Sequence, residues 1–150
     1  MFTLAIMKEN KKTCNSAACV LKLDSNHRYL AAGNPMTSTE DLTKLAFDNA
    51  DKVRLRIAEN SATPAQVLEQ LAFDCNPDIR MAVADNLNVP IVILIMLAQD
   101  ENEDVRYSIA ENHNAPASLL RALTEDSNPY IACRAAKTIE DLLQQLRPAA

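Results

Sequence analysis

Residues 60–85 read N-S-A-T-P-A-Q-V-L-E-Q-L-A-F-D-C-N-P-D-I-R-M-A-V-A-D, and the same spelling returns along the chain at one interval. Asn34, Asn60, Asn86 and Asn112 are spaced by 26, as are Asp48, Asp74, Asp100 and Asp126, and Leu45, Leu71, Leu97 and Leu123. Val53, Ile79, Val105 and Ile131 keep the period, as do Ala58, Ala84, Ala110 and Ala136. Arg28, Arg54, Arg80 and Arg106 complete it. So many coincidences at one period define an internal repeat. Four clear copies span 34–59, 60–85, 86–111 and 112–137. A degenerate copy with an N-terminal cap fills 1–33, and a C-terminal cap fills 138–150.

Each copy reads as two helices. In the first, Thr63 is placed to N-cap, Pro64 to occupy the first helical position and Gln66 to complete a capping box. Thr37 with Glu40 repeats the box, whereas Val89 and Ala115 keep only the Pro that follows. Leu68, Leu71 and Ala72 fall at i, i+3, i+4 and form one buried stripe. The second helix starts from Asn76 as N-cap, before Pro77 and Asp78, and turns Ile79, Val83 and Ala84 inward. Asn86 then ends it as a cap that tolerates the left-handed conformation. From Thr138 to Leu146 the pattern predicts a separate capping helix. A unit of this size cannot bury its apolar face alone, but stacked copies can.

Composition agrees. Of 150 residues, 48% are hydrophobic and 4% aromatic, with a single Gly, so strands and Gly turns are disfavoured and the expectation is all-α. The net charge of −5 is uneven. Residues 1–33 carry Lys8, Lys11, Lys12, Lys22 and Arg28 against Glu9 and Asp24, a balance of +3; the rest of the chain stands at −8. An acidic body argues against nucleic acid as the partner. The charges follow the apolar stretch Met1–Met7 rather than precede it, unlike a signal peptide. Val89–Ala98 is about half the length of a membrane span. Cys14, Cys19, Cys75 and Cys133 lack framework spacing, and a reducing cytoplasm is the expected compartment.

The pattern N-x-x-T-P-x-x-x-L-x-x-L-A-x-D-x-x-x-x-V-R-x-x-x-A-x, recurring in register over about residues 24–137, resembles the leucine-rich repeat variant family. That resemblance implies a HEAT-like, right-handed α-solenoid of about five helical-pair repeats, one helix of each pair short. Some family members carry an N-terminal Cys-rich iron–sulfur segment. Here the N-terminus offers only Cys14 and Cys19, so no cofactor is expected.

Candidate sites are weighed against the frame. The Arg ladder could line a track for an anion, but a partly buried guanidinium demands a partner, and a ladder Asp of its own or a neighbouring copy can supply it. The Asn ladder reads as turn chemistry. Tyr29, Leu55, Met81, Tyr107 and Cys133, each just after the position of a ladder Arg, form a semi-apolar ribbon suited to a peptide or to packing between repeats. The helix over 90–99 is sharper. Ile91 stands where other copies have Thr39, Ala65 and Ala117, and Val92 where they have Glu40, Gln66 and Ser118. Ile95 replaces Thr43, Glu69 and Arg121, and Met96 replaces Lys44, Gln70 and Ala122. These four lie nearly opposite the core stripe of Leu94, Leu97 and Ala98, so this helix is apolar all round while its siblings are amphipathic. Soluble monomers avoid such a patch unless it is covered.

Catalysis finds little support. His27 and His113 lie in different turns, one Gly excludes a phosphate loop, and Asp100, Glu101, Glu103 and Asp104 crowd a helix start as dipole partners do. A metal site from Cys14, Cys19 and His27 would lack a fourth ligand at usable spacing. The expectation is a non-enzymatic scaffold for a protein partner or a homodimer, with Ile91, Val92, Ile95, Met96, Tyr29, Leu55, Met81 and Tyr107 as the partner-binding residues. The alternative is a nucleic-acid or anion-binding module using the Arg ladder and the basic N-terminus.

Overall fold

The computed structural model describes residues 23–145, and every regular element among them is an α-helix. The basic stretch Lys8–Lys22, Cys14, Cys19 and the last five residues lie outside them. The helices alternate between two kinds. The short kind, seven residues each, comprises α2 (Thr39–Leu45), α4 (Ala65–Leu71), α6 (Ile91–Leu97) and α8 (Ala117–Leu123). The longer kind comprises α1 (Ser25–Ala32), α3 (Asp51–Ala58), α5 (Pro77–Asp85), α7 (Glu103–Glu111) and α9 (Pro129–Gln145).

A seven-residue helix does not persist alone in water, so these elements exist through what they pack against. Each longer helix packs on the next of its kind, α1 on α3, α3 on α5, α5 on α7 and α7 on α9. The short helices bridge the longer ones on either side of them in sequence. The apolar ladders all turn inward: Leu45, Leu71, Leu97 and Leu123 from the short helices, Val53, Ile79, Val105 and Ile131 from the longer ones. Ala58, Ala84 and Ala110 are fully buried where longer helices meet. Ala136 is exposed and Ala135 buried in its place, since no further helix follows α9 among the described residues.

The starts of α5 and α7 are as the sequence predicts, whereas α3 starts from Ala50 as its N-cap, with no side-chain cap. Asn76 and Asn102 cap α5 and α7 by accepting from the amides of Asp78 and Asp104, and Pro77 occupies the first turn. The short helices differ. Their N-caps are Pro64, Pro90 and Pro116, extended at ψ 150, 142 and 137, so each helix begins one residue later than the capping-box reading places it. Thr63 is fully buried and donates its hydroxyl to the Ile57 carbonyl 2.7 Å away; Thr37 does the same to Ala31. A buried hydroxyl with a carbonyl in reach satisfies that bond before an exposed amide. The one side-chain cap in the short helices belongs to Ser38, one residue beyond Thr37; the Ser38 hydroxyl accepts from the Asp41 amide and donates to the Asp41 carboxylate.

Two further expectations change. Asn86 ends α5 in an extended conformation, φ −73 and ψ 130, and no described residue outside glycine has positive φ. Its amide group instead joins repeats. The Asn86 Nδ2 donates to the carbonyls of Ala58 at 2.7 Å and Asn60 at 3.1 Å, while its Oδ1 receives the Asn88 amide. Asn60 makes the same three contacts one repeat earlier, and Asn112 reaches Ala84. Nor is there a break at Thr138. It stands where the ladder would place Asn, no Pro or Gly follows until Pro148, and α9 continues through it for 17 residues in all.

Replacing Asn86 with Ala takes the donor from the buried Ala58 carbonyl, while the Asn60 carbonyl keeps the Thr63 amide, and about 1–3 kcal/mol of stability is expected to go with it. Asn114→Ala, at an exposed turn residue, is the control and is expected to stay within about 0.5 kcal/mol. Urea denaturation followed by circular dichroism reads both as shifts in midpoint. Equal midpoints for the two variants would show that the Asn ladder is turn chemistry alone.

Candidate interaction surface

The Arg and Asp ladders meet in a single arrangement repeated four times. Arg54 sends Nε and Nη2 to the two carboxylate oxygens of Asp74, at 2.6 and 3.1 Å, and Nη1 to the backbone carbonyl of Asp48 at 2.7 Å. Arg80 grips Asp100 at 2.8 Å through both nitrogens and the Asp74 carbonyl at 2.7 Å. Arg106 does so with Asp126 and the Asp100 carbonyl, and Arg28 with Asp48 and the Leu23 carbonyl. Each guanidinium thus clamps a carboxylate in the next repeat and a backbone oxygen in its own. The carboxylate is held from its other side: Oδ1 of Asp74 and of Asp100 accepts the amide two residues on, at Asn76 and Asn102, the residues that cap α5 and α7.

Every nitrogen of these four guanidiniums has an acceptor within the protein, and the carboxylates are nearly sealed. Burial by itself would raise the Asp48, Asp74 and Asp100 carboxyls; the guanidinium and amide donors outweigh it and hold all three below the usual aspartate range. Asp126, gripped by Arg106, is lowered too. In return the carboxylates raise the arginines, Arg54 most clearly, through its bonds to Asp74.

The apolar residues singled out on α6 divide. Ile91, Val92 and Ile95 are 59, 65 and 46% exposed and share the outward face. Met96 does not join them. It is half-buried against the core and lines a groove with Phe73, because its flexible side chain folds back toward the preceding repeat. On the longer helices, Tyr29 and Tyr107 are each 38% exposed, whereas Leu55 and Met81 are half-buried with part of their surface against the core. Cys75 and Cys133 are exposed and free. His27 bonds to Asp24 at 2.7 Å, and His113 is exposed in a turn far along the chain.

Two aromatics escape the sequence reading. Phe47 and Phe73 occupy one repeat position, which later copies fill with Gln99 and Glu125, and both are largely exposed beside open grooves floored by Arg54–Asp74 and Arg80–Asp100. Reading that one column across the copies would have found them. No family model, curated protein or solved structure matches the chain.

The clamps carry a pH signature. Their carboxyls lie lower in the folded chain than the value of about 3.9 they have unfolded. Their contribution is therefore complete above that value and is lost as pH falls through the depressed folded ones. The melting temperature is expected to hold level from about pH 8 to 5 and to fall steeply below about pH 4. Asp100→Asn is expected to show a lower plateau and a shallower fall. Thermal melts across that range decide it, and stability that rises on acidification would contradict the assignment.

Proposed function

We propose that this chain is a non-catalytic protein-interaction scaffold, a right-handed α-solenoid of the leucine-rich repeat variant type, which self-associates through the outward face of α6. The observation that carries the reading is the exposed triplet Ile91, Val92 and Ile95, on a helix whose siblings are polar or small at the same positions. Burying one branched aliphatic side chain is worth about 1.5–3 kcal/mol, and a two-fold contact buries the same patch twice.

The flanking charges favour a second copy as the occupant. In the repeat register Ile95 stands between Glu69 on α4 and Arg121 on α8, both exposed and outside the ion pairs formed among the described residues. A two-fold axis through the middle of α6 sets Glu69 of one copy against Arg121 of the other, on both sides of the apolar centre. That is an apolar core with a complementary polar rim, the anatomy of a specific interface. The scattered cysteines fit a reducing, cytoplasmic setting. No helix among the described residues is long and apolar enough to cross a membrane.

Light scattering on a sizing column tests the reading. The wild type is expected to elute as a dimer and Ile95→Glu as a monomer with unchanged helicity. Glu69→Arg is expected to weaken the dimer, and adding Arg121→Glu to restore it. A wild type that stays monomeric into the hundreds of micromolar would overturn self-association.

A further inference from the structure

The longer helices carry a second surface, independent of α6, and the repeat again supplies its own control. Four columns of residues run across α1, α3, α5, α7 and α9. The first is the ribbon Tyr29, Leu55, Met81, Tyr107, Cys133. The next residue in each copy is Leu30, Arg56, Ala82, Ser108, Arg134. Three residues further on come Gly33, Glu59, Asp85, Glu111, Lys137. Before the ribbon lie Asn26, Lys52, Asp78, Asp104, Tyr130. The ribbon is apolar and aromatic, and across α5 and α7 carboxylates line both of its sides.

The second column shows where the surface is complete and where it is open. At one end, Arg56 lies over the Tyr29 ring, 5.7 Å from its centre, and pairs with Glu59 at 2.9 Å. Gly33 makes room for it, since a Cβ there would run into the Arg56 side chain. At the other end, Arg134 follows Tyr107 by the same interval and lies 3.6 Å from Glu111. Between these ends the arginine is missing: Ala82 and Ser108 stand in its place, the first half-buried and the second buried with its hydroxyl turned to the Val105 carbonyl. Asp85 is left with no cation at ion-pair distance among the described residues. Partial desolvation, with a smaller push from the Glu111 charge, raises its carboxyl above the usual range.

We infer that the ribbon Tyr29–Leu55–Met81–Tyr107 is a docking track for a basic, extended peptide segment of another protein, whose Arg or Lys head lies over Ala82 and pairs with Asp85, with Glu111, already near Arg134, adding its charge beside it. The partner's cation takes the place that Arg56 and Arg134 hold in the flanking repeats, with its aliphatic stem along Leu55 and Met81. Asp78 and Asp104 face the next cationic side chain across the ribbon. The inference rests on the chain being a binding scaffold and does not depend on dimerisation through α6. Four helices at about 8–10 Å spacing span roughly 30 Å, which an extended peptide of about ten residues covers.

The probe is a fluorescein-labelled peptide of about ten residues, Arg alternating with Leu, its anisotropy read against the 150-residue chain. A Glu–Leu peptide of equal length is the control. The Arg–Leu peptide is expected to bind and the Glu–Leu peptide not to. Asp85→Asn and Ala82→Arg, the second restoring the side chain of the neighbouring repeats, are each expected to weaken binding by about tenfold. Glu125→Gln makes the same change in net charge as Asp85→Asn but away from the ribbon, and is expected to leave binding unchanged. Ile95→Glu is expected to bind as the wild type does, so loss of the dimer and loss of the track are read separately. Thermal melts establish that Ala82→Arg is folded, and Asp85→Asn answers the question if it is not. Absence of binding to the Arg–Leu peptide overturns the inference. So does a loss with Glu125→Gln as large as with Asp85→Asn, which would mean attraction to net charge alone.

Discussion

The side-on grip of Arg54, Arg80 and Arg106 on the aspartate of the following repeat is the constraint on which the rest of the chain depends. A charge pair held mostly out of water is stabilising only when all its partners are present, and removing one leaves an uncompensated charge at a cost of about 3–5 kcal/mol. The grip is therefore intolerant of changed spacing. Each Arg reaches forward 20 residues to a carboxylate and back 6 to a carbonyl. Each ladder Asn from Asn60 reaches back 28 to another. One inserted residue between these points would break both contacts, which is why the period stays at 26 through loops that are otherwise free to vary.

With the frame held by polar contacts and one apolar stripe per helix, positions pointing away from it are released from structural duty. Variation there carries information. On α6 the released positions are Ile91, Val92 and Ile95, where the flanking short helices carry polar or small side chains. On the longer helices they are Arg56 and the carboxylate of Asp85, which is left alone where that arginine gives way to Ala82 in the next copy. In both places the departure is from the protein's own repeat, so neighbouring copies show what the unmodified surface looks like.

The readings that changed on folding concern side chains that meet a partner other than the one next to them along the helix. Thr63 and Thr37 have the residue type and spacing of N-caps, yet each is seated over a carbonyl six residues back. Asn86 has the chemistry of a helix terminator, yet its side chain links three segments of chain. Met96 falls on the outward arc of a helical wheel, yet packs against the core beside Phe73. A helical wheel and a capping rule know only the neighbours along the chain. What changes these assignments is a partner brought close by packing, about a full repeat away for Asn86 and for Met96.

By itself the sequence determined the helical class, the repeat period, the residues of the core and the outlying apolar character of α6, because each follows from periodicity and composition, which are local and additive. Only the tertiary structure decided which Asp each Arg holds, that the Asn ladder joins repeats as well as ending helices, that α9 continues through Thr138, and that Asp85 is left without a cation. Those depend on distances between segments 20 or more residues apart, or on whether a turn forms against a following helix, and such distances are set only once the stripes have packed.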